Sequence, residues 1–188
     1  MAGRTMREVE GSSMPEPILV AYTTRTGSTA EVAQAIGASL QNAGLSVEVT
    51  PMRSMKSIGE RTAVVLGAPL YAGRLPGDFN RFLSRNKAGF AAAKVWVFVL
   101  GPTERKPEQF TGARAQAEKV LAKFAWFQPA ELQVFGGKFD PDRMPFPFNL
   151  VRNLPAFPLR NAPATDIRDW DAIRAWASQI ARQLRPAA

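Results

Sequence analysis

The sequence predicts a doubly wound, three-layer α/β domain on a five-stranded parallel sheet of order 2-1-3-4-5. Three observations predict it. From residue 17 onward, apolar runs of strand length alternate with amphipathic stretches of helix length, the pattern of strands joined by right-handed helical crossovers. The runs at 18–23 (ILVAYT), 63–68 (AVVLGA) and 95–100 (VWVFVL) are apolar almost throughout, as strands covered on both faces are. The chain has 188 residues, which suits one domain with a core large enough to need no staples.

Each element has its own signal. Residues 18–23 are the first strand. Residues 30–43 form a helix with Val32, Ile36, Leu40 and Ala43 on one face, and Gly44 stands where a C-terminal cap belongs. Leu45, Val47 and Val49 alternate with Ser46, Glu48 and Thr50, the pattern of an edge strand. After the third strand at 63–68, residues 76–86 place Phe79, Phe82 and Leu83 at helical spacing. After the fourth strand at 95–100, Thr111 is placed to cap a helix striped by Ala117, Val120, Leu121 and Phe124. Residues 132–139 (LQVFGGKF) read as the fifth strand. The last helix opens at Asp169 or Trp170. Its core stripe is Trp170, Ile173, Ala177, Ile180 and Leu184, and Asp169 and Asp171 suit the positive end of its dipole. Residues 1–16 are expected as a flexible N-terminal arm and 17–186 as the domain. Residues 141–165, with six prolines, are expected as an insertion before the last helix.

Composition narrows the chemistry. The chain has 24 Lys plus Arg against 16 Asp plus Glu, a net charge of +8, and neither His nor Cys. Without Cys there is no disulfide, thiolate nucleophile, iron–sulfur ligation or thiolate zinc site. Without His there is no Ser-His-Asp triad and no His-ligated metal, so no metal is expected. Chemistry then falls to a cofactor, or to hydroxyl, carboxylate, Lys, Arg and backbone groups. A cationic surplus suits phosphate, anionic lipid or acidic substrates, and equally a solvated surface. No nucleic-acid partner is expected, because the charges are spread along the chain and no nucleic-acid motif is present. No apolar run approaches the roughly 20 residues of a membrane-spanning helix. Residues 1–16 lack the apolar stretch of a secretory signal, and a cytoplasmic location is expected.

In a sheet of this order, ligands bind beyond the C-terminal strand ends, at the switch point between strands 1 and 3. That directs attention to three loops, at 24–29, 69–76 and 101–110. The first reads Thr24-Arg25-Thr26-Gly27-Ser28-Thr29: four hydroxyls, one glycine, one arginine and no acid, between a buried strand and a helix. Free N–H groups and the dipole of a helix N-terminus favour an anion there, and hydroxyls add donors. A phosphate dianion fits; a Ser/Thr-rich cap that binds nothing is the alternative. The chain has no G-x-G-x-x-G and no G-x-x-x-x-G-K-[ST], so neither a dinucleotide grip nor a P-loop is present. The acids of a response regulator are also missing, since Thr24-Arg25 and Ala68-Pro69 occupy their places.

The stretch Y-T-T-R-T-G-S-T resembles the [ST]-x-T-G-x-T phosphate loop of flavodoxins, and its T-T-R-x-G-x-T variant is similar to the flavodoxin-like family containing menaquinone-dependent protoporphyrinogen oxidase. Residues 65–74 (VLGAPLYAGR) resemble that family's second flavin loop, 134–137 (VFGG) its fifth strand, and 168–177 (RDWDAIRAWA) its C-terminal D-W-x-x-I helix. The resemblance spans roughly residues 17–184. It implies a flavodoxin-like fold and FMN as cofactor. Thr24, Thr26 and Thr29 would bond the FMN phosphate by hydroxyl, helped by the N–H groups of Arg25, Gly27 and Ser28. Leu70, Tyr71, Ala72 and Gly73 would border the isoalloxazine, with Tyr71 stacking on the ring. Gly101, Pro102 and Thr103 would border its other side.

The resemblance implies an FMN-dependent oxidoreductase exchanging two electrons with a quinone or another small organic partner. The alternative is a flavodoxin-type electron carrier docking on an acidic protein. The sequence departs from the oxidase at Tyr71, where that enzyme has a basic residue, and over 141–165, where it has a long basic helix. Arg143, Arg152 and Arg160 of that segment would face propionates or acidic lipid in a peripheral membrane contact; otherwise the segment folds back over the sheet. Flavin enzymes of this architecture often build sites between subunits, so a homodimer is a further expectation.

Overall fold

The computed structural model describes residues 16–143 and 163–185. The strands are β1 (Ile18–Tyr22), β2 (Val47–Pro51), β3 (Ala63–Pro69), β4 (Lys94–Leu100), β5 (Glu131–Phe135), β6 (Lys138–Phe139) and β7 (Thr165–Asp166). The helices are α1 (Ser28–Asn42), α2 (Gly77–Arg85), α3 (Lys87–Ala92), α4 (Pro107–Leu121) and α5 (Trp170–Leu184). The first five strands form one parallel sheet of order β2-β1-β3-β4-β5, as the sequence predicts.

The two faces of the sheet come from strand alternation. Leu19, Ala21, Val64, Leu66, Val95, Val97 and Val99 pack toward α2, α3 and α4. Ile18, Val20, Tyr22, Val65, Trp96, Phe98 and Leu100 pack toward α1 and α5. Strands β1 and β3 are buried at every position, whereas β2 is half-buried throughout, as an edge strand is. Each fully buried Leu, Ile, Val or Phe side chain contributes roughly 1.5–3 kcal/mol against chain entropy. The α5 side is reinforced by Phe98, Phe135 and Trp176, whose rings stand 5.7–6.2 Å apart. The Trp176 indole N–H donates to Glu131 Oε1 at 2.8 Å.

Several boundaries differ from expectation, each for a local reason. The first helix begins at Ser28, with Gly27 as its N-terminal flank. The short α3 follows α2 with only Phe90 buried, too little to mark a helical stripe. Its start is fixed by Asn86, which donates to the Phe82 carbonyl and accepts the Ile58 N–H, both at 2.9 Å. Helix α4 opens at Pro107, not at Thr111, because the fixed φ of proline suits a first helical position. Thr111 lies inside that helix and donates to the Pro107 carbonyl at 3.1 Å.

The expected fifth strand is divided. It leaves the sheet after Phe135, and the Ile167 backbone approaches Gly136 so closely that a Cβ there would sit 2.3 Å from the Ile167 carbonyl oxygen. Lys138 and Phe139 instead pair antiparallel with Asp166 and Thr165 as a two-stranded ribbon. The ribbon is anchored by Gly137 N–H to the Pro102 carbonyl at 2.6 Å and Ile167 N–H to the Gly137 carbonyl at 3.1 Å. The last helix opens at Trp170, where Asp169 accepts the N–H groups of Asp171 and Ala172. Most of the expected N-terminal arm and residues 144–162 of the expected insertion lie outside the described residues.

Candidate functional site

The first loop leaves β1 with Thr23 N–H still bonded to the Gly67 carbonyl at 2.9 Å. It then turns on itself, with the Thr24 hydroxyl accepting the Gly27 N–H at 3.0 Å. Gly27 is left-handed at φ 95°, a conformation that strains any residue with a Cβ, and a Cβ built there meets nothing within 4 Å. Among the described residues, no side chain caps α1. Its first N–H groups therefore have no side-chain acceptor from a cap and no intrahelical partner. Thr29 is fully buried, and its hydroxyl has no hydrogen-bond partner among the described residues. A buried orphan hydroxyl carries a desolvation cost of roughly 1–3 kcal/mol. The uncapped helix, the open space at Gly27 and the orphan Thr29 together fit a phosphate group.

The second loop is a tight hairpin. Tyr71 and Arg74 exchange both backbone hydrogen bonds, at 3.0 and 2.9 Å. Between them Ala72 and Gly73 both have positive φ, 46° and 73°, the geometry of a type I′ turn. Local sequence rules favour Asn or Gly at the Ala72 position, so the turn carries no strong sequence signal. Tyr71 projects from this hairpin 42% exposed, and the Arg25 guanidinium lies 5.8 Å from its ring centre. Burial around the phenol pushes its pKa above the ordinary tyrosine value, opposed by hydrogen bonding to the Thr26 side chain and by the Arg25 charge.

The third loop is pinned by Gln109, whose side-chain oxygen accepts the N–H groups of Thr103 and Glu104, both at 3.3 Å. Between the second and third loops lies a cavity of about 360 Å³ whose walls include Leu70, Ala72, Gly73, Gly101, Pro102 and Gln116. Thus five of the seven residues expected around a flavin ring line one cavity. Tyr71 stands outside it, against the first loop, and Thr103 does not reach its wall. Sequence reasoning missed Gln109 and Gln116, which only the packing of α4 brings to the loops. A larger cavity, about 480 Å³, lies by the start of β5 at the opposite end of the sheet, away from all three loops.

The first two loops carry Arg25 and Arg74 and no acid, whereas the charged residue on the cavity wall is Glu108. Asp78 is paired with Arg81, and Glu104 with Lys106 at 2.5 Å. Arg25 and Arg74 make no salt bridge among the described residues.

A third residue missed from sequence is Arg168, whose side chain is 3% exposed. Its Nε donates to Asp166 at 2.8 Å, and one terminal nitrogen donates to Glu31 at 2.7 Å. The same nitrogen reaches the Ser28 carbonyl at 3.4 Å. Glu31 and Ser28 belong to the first turn of α1, so Arg168 bears directly on the helix that follows the hydroxyl loop.

Fold and site together define an α/β domain with an uncapped, hydroxyl-rich start to its first helix and a cavity between the next two loops. Residues 19–147 match the model of the flavodoxin domain family, and the chain belongs to that family. It is a flavodoxin-like domain. The structure is similar to oxidised flavodoxin 2 from Bacillus cereus, with TM-score 0.56 and 21% identity over 90% of this chain and 100% of that one. It is also similar to a flavodoxin from the domain Archaea, with TM-score 0.52 and 13% identity over 88% and 96%. Rubredoxin oxygen:oxidoreductase from Desulfovibrio gigas shares the fold, with TM-score 0.54 and 15% identity over 89% of this chain and 35% of that one. No curated protein matches the chain in sequence. Among the described residues, no helix is long and apolar enough to cross a membrane.

Proposed function

We propose that the chain binds FMN and is an oxidoreductase exchanging two electrons with a quinone or similar small organic partner, in the manner of protoporphyrinogen oxidase. The observation that carries the cofactor assignment is the uncapped start of α1 beside the buried, unpartnered Thr29 hydroxyl. Thr24, Thr26 and Thr29, with the N–H groups of Arg25 and Ser28, would hold the phosphate, while the Gly27 N–H, given to the Thr24 hydroxyl, would shape the loop around it. Leu70, Ala72, Gly73, Gly101 and Pro102 would border the ring, with Tyr71 and Thr103 at its margins. FMN, when bound, supplies the electron and hydride chemistry, and the protein tunes it.

That tuning supports an enzyme. The first loop and residues 67–77 contain Arg25 and Arg74 and no acid, against one acid, Glu108, on the wall of the ring cavity. A cation about 6 Å from an anionic reduced flavin stabilises it by roughly 3 kcal/mol at an effective dielectric near 20, less where solvent screens it. Easier reduction suits two-electron exchange with an organic substrate better than a strongly reducing carrier does. The same cationic rim supports a second reading, an electron carrier docking on an acidic protein. A homodimer and a cytoplasmic location belong to the proposal as well.

The test is turnover of a soluble quinone by the purified, FMN-loaded chain with a chemical or nicotinamide reductant. Sustained turnover without a second protein supports the enzyme. Reduction only in the presence of an acidic redox protein supports the carrier. Mass spectrometry of the released cofactor decides its identity, and FAD alone would overturn the FMN assignment.

A further inference from the structure

We infer that Arg168 sets the affinity of the 24–29 loop for a phosphate monoester, by cancelling the charge of Glu31 in the first turn of α1. The inference rests on reading that loop as a phosphate site. Glu31 is the acid in that first turn. A carboxylate there suits the helix dipole but repels a phosphate dianion seeking the same N–H groups. The chain resolves this conflict from a distant segment. Arg168 places one guanidinium nitrogen 2.7 Å from Glu31 Oε2 and 3.4 Å from the Ser28 carbonyl, while its other nitrogens hold both oxygens of Asp166 at 2.5–2.8 Å.

The cluster is built to keep that arginine in one place. Its side chain is buried, and its guanidinium lies 4.6 Å from the Trp170 ring centre. Asp166 is fixed by the ribbon pairing with Lys138, whose ammonium is 4.0 Å from it. The two cations and two carboxylates cancel, so α1 meets an incoming phosphate with Glu31 neutralised. Glu31 itself is half exposed and has space to accept the substitution used below.

The chemical consequence is selectivity for phosphate-bearing ligands over their uncharged counterparts. Glu31→Gln leaves Arg168 partly uncompensated beside the loop and is expected to tighten phosphate binding severalfold. Arg168→Gln leaves Glu31 unopposed and is expected to weaken it about tenfold. The double variant is expected to return close to the parent.

The experiment measures FMN and riboflavin affinities of the parent and three variants by flavin fluorescence. In parallel, the amide shifts of Ser28, Thr29 and Ala30 are followed in the cofactor-free chain titrated with inorganic phosphate. Expected are effects on FMN and inorganic phosphate with riboflavin unchanged, and rescue in the double variant. Equal losses for FMN and riboflavin, or no rescue, overturn the inference and leave Arg168 a structural latch. If Arg168→Gln fails to fold, Glu31→Gln decides alone: unchanged phosphate affinity overturns the inference. A parent that binds inorganic phosphate at these amides but no flavin overturns the FMN assignment, and the phosphate series still decides the role of Arg168. A parent whose amides ignore phosphate overturns both.

Discussion

The guanidinium of Arg25 lies 5.8 Å from the centre of the Tyr71 ring, joining the hydroxyl loop after β1 to the hairpin after β3. The two residues are neighbours only because β1 and β3 are adjacent in register, with Tyr22 opposite Gly67. Their contact joins the loop proposed to hold the phosphate to the hairpin proposed to border the ring. A cation over an aromatic face contributes roughly 0.5–1 kcal/mol where exposed.

That contact predicts a graded response at Tyr71. Tyr71→Phe keeps the ring and is expected to retain FMN affinity within about twofold. Tyr71→Ala removes both the ring over Arg25 and a stacking surface worth roughly 0.5–1.5 kcal/mol, and is expected to weaken FMN about two- to tenfold. Fluorescence quenching titrations measure both. Equal affinity in parent and Tyr71→Ala would leave Tyr71 without a part in binding.

Thr29→Val separates stability from binding by sign. Removing an orphan hydroxyl from a fully buried site is expected to raise the cofactor-free melting temperature by a few degrees, for about 1 kcal/mol gained. The same change removes a donor to the phosphate and is expected to weaken FMN about tenfold. Calorimetry of the cofactor-free chain and a flavin titration check the two halves. A destabilised Thr29→Val would mean that the hydroxyl has a partner in solution.

Gly27 tests the backbone of the loop. Its φ of 95° makes any Cβ costly by roughly 1–2 kcal/mol, although no atom stands within 4 Å to clash with one. Gly27→Ala is therefore expected to fold with a melting temperature lower by a few degrees and to lose FMN affinity. Gly27→Val is expected to lose more of both, because a branched side chain is less tolerant of this φ. A Gly27→Ala protein of undiminished FMN affinity would show that the space above Gly27 is not the phosphate position.

Asp166 gives a prediction in pH. The Arg168 side-chain hydrogen bond, opposed in part by burial, holds its carboxyl below the ordinary value of 3.8. A carboxyl lowered by folding contributes stability that is present above its unfolded pKa and lost as pH falls through the folded one. The stability difference between the parent and Asp166→Asn is therefore expected to be constant above about pH 5 and to shrink toward about pH 2. Urea melts across that range measure it. A difference that does not change with pH would assign the effect to packing rather than charge.

The sheet order follows as the usual one for five strands in a doubly wound domain of this length. The sequence by itself determined the layered α/β class and the place of the hydroxyl-rich loop. These are written in local patterns: three strands apolar on both faces, helices striped on one face, and a hydroxyl-rich segment between β1 and α1. What the tertiary structure alone decided is where segments far apart in the chain meet. Gly136 is approached closely by the Ile167 carbonyl, which no window around residues 132–139 contains. The division of the ring-side residues depends on α4, whose Gln116 reaches the cavity wall beside Gly73. Arg168 is one of 17 arginines in the sequence, and its partner Glu31 lies 137 positions away. Local periodicity reports which face of an element is buried. It carries no information about a polar pairing that exists only because two helix N-termini, α1 and α5, pack on the same face of the sheet.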